Sequence, residues 1–226
     1  MRITFISDTH TKHREIEQDL PGGDLIIHAG DFMNSGYDPQ DVAEFVNWYS
    51  SLLTMDYKHR VFIAGNHDRL FENNPKLAKE LVDAYSGGLI YLQDQTHVID
   101  GVKIYGSPWQ PTFYDWAFNL PRNGAELEEK WSMIPPATDI LVCHTMPYEH
   151  LDVTGNQRVG CEVLRVYTDL LRPKIFVGGH IHSGAGYKFD GHTHFFNASV
   201  LNNSYVYKNK PMTIDWNPET NEVEFV

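Results

Sequence analysis

Cysteine is nearly absent: only Cys143 and Cys161 occur in 226 residues. Both stand in apolar surroundings, which excludes a disulfide framework and makes a reducing, cytoplasmic setting the expectation. Long hydrophobic runs are missing as well. None approaches the roughly 18 to 20 residues that a membrane-spanning helix needs, and none follows a basic amino-terminal stretch, so neither a span nor a leader is expected. Positive charge is scarce: 18 basic residues stand against 30 acidic ones, for a formal charge of −12. A footprint for long nucleic acid or an anionic membrane is thereby disfavoured, and any phosphate substrate must be attracted by something local. Repeats, low-complexity tracts and linkers are also lacking. What is present is a core-forming composition, 42% hydrophobic and 13% aromatic, which suits one domain over 1–226. There are also 12 histidines, and their placement carries the functional argument.

Strand-like runs at 3–6, 25–28 and 60–64 each end in a polar or glycine-containing turn. Between the last two, Asp38-Pro39 reads as a helix start, followed by Val42, Phe45, Val46, Tyr49, Leu52 and Leu53 at helical spacing. Asn74-Pro75 opens a second helix carrying Leu77, Leu81, Val82 and Tyr85, with Gly87-Gly88 as its stop. Such βαβ alternation implies parallel strands, whose carboxyl ends are the natural place for a site. The second half predicts short strands at 91–92, 98–99 and 102–105, the last two joined at Asp100-Gly101. A buried strand at 139–144, a helix over 161–171, a strand at 174–178, a hairpin about Asp190-Gly191 and closing strands at 212–216 and 222–226 complete the pattern. Two sheets with helices outside them are expected.

The strand ends deliver hard metal ligands. Asp8-x-His10 follows the first, Gly30-Asp31 the second, Gly65-Asn66-His67-Asp68 the third, and His144 and Gly179-His180-Ile181-His182 follow later ones. In an extended segment, residues two apart point the same way, so Asp8 with His10, and His180 with His182, would each present two side chains to one cavity. Asp31 has two oxygens and can bridge two cations. Asp-x-His or Gly-Asp alone is ordinary turn chemistry; their recurrence after successive strands is not. Mixed carboxylate, imidazole and amide donors without thiolate suit Mn, Fe or Zn in a catalytic centre better than structural zinc.

This ordered set resembles the calcineurin-like metallophosphoesterase superfamily over about residues 3–199. The resemblance implies an α/β fold, a four-layer αββα sandwich of two mixed β-sheets with flanking helices, and a dinuclear centre. It assigns Asp8, His10, Asp31 and His182 to one divalent ion, and Asp31, Asn66, His144 and His180 to the other. His67 becomes the general acid, and Asp68 either orients it or caps the following segment. Thr11 departs from the glycine many relatives have there. Gly106-Ser107-Pro108-Trp109-Gln110-Pro111, Trp116-Ala117-Phe118-Asn119, Arg158-Val159-Gly160-Cys161, Arg172-Pro173-Lys174 and Ile181-His182-Ser183-Gly184 resemble more closely the metallophosphoesterase-domain-containing brain-protein subgroup, itself similar to class III cyclic nucleotide phosphodiesterases.

The implied activity is attack of a metal-bridging hydroxide on a small phosphodiester. Cyclic nucleotides are the expected substrates, with the strained 2′,3′-cyclic form favoured, and Mn²⁺ is the first metal expected, ahead of Fe or Zn. Two divalent ions against Asp8 and Asp31 give a local charge of about +2 inside an acidic protein. The alternatives are a phosphomonoesterase or phosphoprotein phosphatase, and a nucleotide-binding regulatory protein. Substrate contacts are sought among Trp109, Phe113, Tyr114, Trp116 and Phe118, which either stack a base or pack a flap, and in Arg158, which either binds phosphate or forms a surface ion pair. Asn197 is a candidate substrate contact or a hydrogen-bond partner behind the ligands. Lys12 and His13 either reach the site mouth or are solvated, His28 lies behind the ligands or in the core, and His192 and His194 are nonligands.

Overall fold

The computed structural model describes residues 1–52, 57–84 and 88–226. Its strands are β1 (Arg2–Ile6), β2 (Gly23–His28), β3 (Tyr57–Phe62), β4 (Leu89–Tyr91), β5 (Gln95–Ile99), β6 (Val102–Ser107), β7 (Gln110–Pro111), β8 (Asn119–Leu120), β9 (Ile140–Cys143), β10 (Val153–Thr154), β11 (Gln157–Arg158), β12 (Ile175–Gly178), β13 (Gly186–Phe189), β14 (His194–Asn197), β15 (Met212–Trp216) and β16 (Val223–Phe225). Its α-helices are α1 (Pro39–Ser51), α2 (Arg69–Asn73), α3 (Pro75–Ala84), α4 (Ala125–Ser132) and α5 (Glu162–Leu171). One sheet runs β16-β15-β1-β2-β3-β4 and the other β13-β14-β12-β9-β6-β5. Each is parallel in its middle and antiparallel toward an edge.

Alternation along the strands explains the layers. Ile3 and Phe5, Leu25 and Ile27, Ile140 and Val142, Ile175 and Val177 pack together between the sheets. Their sequence neighbours point outward: Ile6 and Ile26 meet α1 through Val42, Phe45, Val46 and Tyr49, while Leu141, Cys143 and Phe176 meet Leu127 and Trp131 of α4 and Leu164 of α5. Strands buried on both faces read as continuous apolar runs, which is why they were legible. The four-layer αββα sandwich expected from the resemblance is therefore present.

Asp38 caps α1 by accepting from the Gln40 amide at 2.9 Å, with Pro39 opening the helix. Cys161 caps α5 instead of belonging to it, and β3 begins earlier than its apolar half suggests because Tyr57 is buried at its start. The short helices α2 and α4 lack a long apolar stripe and escaped the periodicity. Leu53, Tyr85 and Gly87, assigned above to helix faces and a helix stop, lie outside the described residues. Among the described residues no helix is long and apolar enough to cross a membrane.

The registers Ile6↔His28 and His28↔Phe62 align the carboxyl ends of β1, β2 and β3. An isolated bridge between Ser7 and Ser199 joins the loop after β1 to the one after β14. The loops after β1, β2, β3, β9 and β12 consequently meet at one end of the sandwich.

Candidate metal centre

The ligand pairs converge by a route different from the expected one. Asp8, His10, Asp31 and His180 have φ of 56°, 40°, 58° and 65°, so Asp-x-His and His-x-His are tight left-handed turns, not extended segments. The strand has already ended at each pair, and the chain turns inward to aim both side chains at one space. Non-glycine residues held there cost roughly 1 to 3 kcal/mol each, and such strain clusters at functional sites. The backbone is pinned to bear it. The Asp8 amide donates to Gly30 O at 2.9 Å, the His10 amide to Asp31 O at 3.0 Å and the Gly179 amide to His144 O at 2.9 Å. Gly179 is required by close approach, since a Cβ there would stand 2.2 Å from Asp8 Oδ2.

The imidazoles are held in one sense. Nδ1 of His10, His144 and His182 lies 3.1, 2.8 and 3.0 Å from the carbonyls of Met33, Ala29 and Asn202 respectively. A carbonyl can only accept, so each Nδ1 carries a proton and Nε2 is the nitrogen turned inward. What each Nε2 faces is an acceptor. His144 Nε2 lies 3.2 Å from Asp31 Oδ2 and 3.0 Å from Asn66 Oδ1, and His182 Nε2 lies 3.3 Å from Asp8 Oδ1. His10 Nε2 is buried with no hydrogen-bond partner among the described residues and lies 3.9 Å from Asp31 Oδ2. These contacts call for positive charge among them, a proton on Nε2 or a metal ion in its place, and a carboxylate, imidazole and amide set fits a divalent ion. One ligand atom each from Asp8, His10 and His182, and one each from Asp31, His144 and His180, lie within 4.8 Å of one another. A third such group joins His10, Asp31 and His67. The first two fall within the two ligand sets that the resemblance implies, and Asp31 Oδ2, 3.9 Å from His10 Nε2 and 3.2 Å from His144 Nε2, stands between them.

The electrostatics express the same demand for positive charge. Burial pulls the His144 and His182 imidazoles down, but Asp31 and Asp8 more than offset it and carry both up to about 9. Burial dominates at His10 and His180, pushed down to about 4 and about 3. Asp8 and Asp31 are held below the usual carboxylate range, because their histidine neighbours outweigh the opposing effect of burial.

His67 sits at the rim of this basin. Its amide donates to Asp31 Oδ1 at 2.7 Å, and its Nδ1 contacts Asn34 O, which leaves Nε2 as the group able to pass a proton. Asp68 occupies the N-cap position of α2, but its side chain bonds neither the α2 amides nor His67, which corrects the expectation that it orients that ring. Its buried carboxylate accepts from the amides of Asp31, Met33 and Gly65 at 2.8, 2.9 and 2.7 Å and so ties the loop after β2 to the loop after β3. It is a positioning residue, not a catalytic one. Burial and the charge of Asp31 raise its pKa well above the usual range.

Residues 1–184 match the family model described as calcineurin-like phosphoesterase. The chain belongs to that family. It is 41% identical over 236 residues to metallophosphoesterase domain-containing protein 1 of Homo sapiens, an alignment covering 95% of this chain and 70% of that protein. It is 38% identical over 242 residues to a UPF0046 protein of Caenorhabditis elegans, covering 95% of this chain and 60% of that one. A crystal structure of a Thermus thermophilus protein has a TM-score of 0.65 and 16% identity, covering 100% of this chain and 97% of that chain, a likeness of fold. The family's chemistry is metal-dependent hydrolysis of phosphoesters at a dinuclear centre.

The phosphoesterase's basin opens into a cavity of about 330 Å³ whose lining includes Asp31, Asn66, His67, His180 and His182 together with Phe113, Arg122, Thr154, Val159 and Tyr205. Trp109 and Arg158, expected as substrate contacts or else as a packing residue and an ion-pair partner, are not among the lining residues and are engaged elsewhere. Trp109 donates to Asp94 at 2.8 Å and lies under the Lys130 ammonium, and Arg158 is spent on the buried carboxylate of Asp152 at 2.6 Å. Asn197 is wholly buried and also touches no substrate space. It donates to Ile181 O at 2.9 Å and accepts from the Ser199 amide at 3.3 Å, and the Ser199 hydroxyl gives its one proton to Asp8 at 2.8 Å, the supporting role expected as its alternative.

His13 is neither at the mouth nor solvated, but packs on Trp48 in the core. Lys12 Nζ donates to Tyr205 O, and His28 lies behind the ligands, bonded to Thr9 Oγ1 at 3.0 Å. His192 and His194 belong to none of the clustered groups. Sequence reasoning missed Arg122 and Tyr205, which stand in segments without a motif. The turn chemistry of Asn202-Asn203-Ser204 was the one available signal for the latter.

Proposed function

We propose that this phosphoesterase is a phosphodiesterase for small phosphodiesters, above all cyclic nucleotides with the 2′,3′-cyclic form favoured, working with two Mn²⁺ ions in the cytoplasm. The observation that carries the reading is the convergence of Asp8, His10, Asp31, Asn66, His144, His180 and His182 on a cavity whose rim holds His67. A volume of about 330 Å³ stands at the small end of ligand pockets and suits a mononucleotide better than a polymer.

Asp8, His10, Asp31 and His182 would hold one ion and Asp31, Asn66, His144 and His180 the other; when bound, such ions polarise phosphate oxygens and acidify water. The chain's own residues do the rest. Arg122 is the single Lys or Arg among the described lining residues, and its guanidinium is committed to Val159 O, Gly160 O and Glu162 at 2.7, 2.8 and 2.6 Å. Substrate attraction therefore falls to the centre itself. His67, with Nδ1 fixed on Asn34 O, holds the proton at Nε2 for the departing alkoxide. The buried free thiols Cys143 and Cys161 accord with a reducing compartment.

The test is hydrolysis by Mn²⁺-loaded protein of an aryl phosphodiester, an aryl phosphomonoester, and 2′,3′- and 3′,5′-cyclic AMP, with Asp8→Ala and His67→Ala alongside. Metal-dependent diester turnover that collapses in Asp8→Ala, and falls further on cyclic nucleotide than on aryl ester in His67→Ala, supports the reading. Preference for the monoester, or tight nucleotide binding without turnover, overturns it.

A further inference from the structure

The feature that the proposed chemistry leaves unexplained lies against the His67 ring, outside the lining of the cavity. The Trp116 ring is stacked on the imidazole, with centroids 3.9 Å apart and planes 26° from parallel. Trp116 is half-buried and is not among the cavity's lining residues, so it is not placed to stack a substrate base. The Arg69 guanidinium lies over the same indole at 5.0 Å and over the Tyr37 ring at 5.1 Å. His67, Trp116, Arg69 and Tyr37 thus form a chain of face contacts running outward from the site.

Three segments distant in sequence are clamped together to make it. The Ala117 amide donates to Asn66 O at 3.1 Å and the Phe118 amide to Glu72 at 3.0 Å, which fastens the aromatic segment to the turn that carries His67. The loop after β2 grips that turn as well. Asn34 O meets His67 Nδ1, and Gly36, at φ of 79°, comes so close that a Cβ would stand 2.0 Å from His67 O. On the His10 side the two imidazoles meet edge to face at 4.6 Å.

We infer that Trp116 is a positioning residue for His67: its indole, backed by Arg69 and Tyr37, holds the imidazole in the one rotamer that presents Nε2 to the leaving oxygen. This rests on the general-acid reading of His67. A proton donor acts only within about 2.6 to 3.2 Å of its acceptor, and an imidazole at the edge of a cavity without such backing would share its time among rotamers. Aromatic faces and cation–π contacts each supply a modest restraint, and stacking opposes ring rotation while leaving Nε2 free.

The inference separates two kinds of substrate. A phosphodiester with a nitrophenolate leaving group needs little protonation, whereas a cyclic nucleotide expels an alkoxide and needs much. In Trp116→Leu, kcat on 2′,3′-cyclic AMP should fall about 10-fold or more, with KM and nitrophenyl-ester turnover nearly unchanged, and Trp116→Phe should restore most of the loss. In a His67→Ala background, Trp116→Leu should have almost no further effect, because a residue acting through another is silent once that other is gone. Equal losses on both substrates, a rise in KM at constant kcat, or full additivity with His67→Ala overturn the inference and leave the general-acid reading standing. If His67→Ala itself fails to distinguish the leaving groups, the general-acid reading fails and takes this inference with it. Unchanged metal content and melting temperature in both Trp116 variants exclude misfolding as the source of a loss.

Discussion

The metal basin and the segment from Trp109 to Arg122 meet around His67, yet they are built in opposite ways. In the basin each ligand sits within four residues of a strand end, and most of the donors are fixed from behind: Nδ1 of three histidines by a carbonyl, Asp8 by Ser199, Asp31 by an amide. The segment has two short strands, and Phe113 and Tyr114 are 45% and 80% exposed. Its aromatics were read as one group, but each does something different. Trp109 packs inward, Phe113 stands against His180 with ring centroids 5.2 Å apart, and Trp116 lies on His67. Burial makes the basin intolerant of change, whereas exposure leaves much of the segment under less constraint from packing.

The contrast breaks most completely at Asp31, where removal of the shared carboxylate takes a ligand from both ions. Asp31→Ala should lower phosphoester hydrolysis by on the order of 10³-fold, and metal analysis of the purified variant should find both ions depleted. Retention of two tightly held ions would show that the basin does not depend on its bridge. One step outward, Ser199→Ala removes the hydroxyl that orients Asp8 and should weaken metal affinity by about 10- to 100-fold, measured as the free Mn²⁺ needed for half-maximal rate. An unchanged metal requirement would mean that the support behind Asp8 is dispensable.

On the other side of the comparison, Phe113→Ala should raise KM for cyclic nucleotide by several-fold while metal content stays the same. A loss of bound metal there would erase the division between basin and segment. Arg158→Ala should leave kcat and KM alone but lower the melting temperature, since it strips the buried Asp152 carboxylate of its partner, at a cost of about 1 to 3 kcal/mol. A selective rise in KM would instead return Arg158 to the substrate site.

The smallest effect concerns His13. Burial holds its imidazole down at about 4, below the ordinary value near 6.5. Below about pH 6.5 the unfolded chain binds a proton that the folded chain refuses, so stability is lost as pH falls toward 4 and the loss levels off beneath it. Thermal melts of chelator-treated protein between pH 7 and 4.5 should show a shallower decline for His13→Phe than for wild type.

The donors were legible because their geometry is almost local. Strands with both faces buried announce themselves as apolar runs, and the polar residue after such a run has little freedom in where it goes. Even so, the expected extended pairs turned out to be left-handed turns at Asp8, His10 and His180, because the strands stop at the pairs. Asp68 was misjudged for a related reason: its neighbours in sequence suggested a role toward His67 or α2, while its actual partners are amides 37, 35 and 3 residues away. Arg158 stands in a recognisable block of sequence and Arg122 does not, yet Arg158 neutralises Asp152 while Arg122 lines the cavity, bonded to Val159 and Gly160.

The sequence by itself determined the layered α/β sandwich and picked out the side chains that converge as candidate metal ligands, since hydrophobic alternation and donor chemistry are properties of short stretches of chain. Only the tertiary structure decided the walls of the cavity, the brace formed by Asp68 and the stack behind His67. Those features join the loop after β2, the turn before α2 and the segment around Trp116, and no local spacing records which surfaces meet when separate segments pack on a common core.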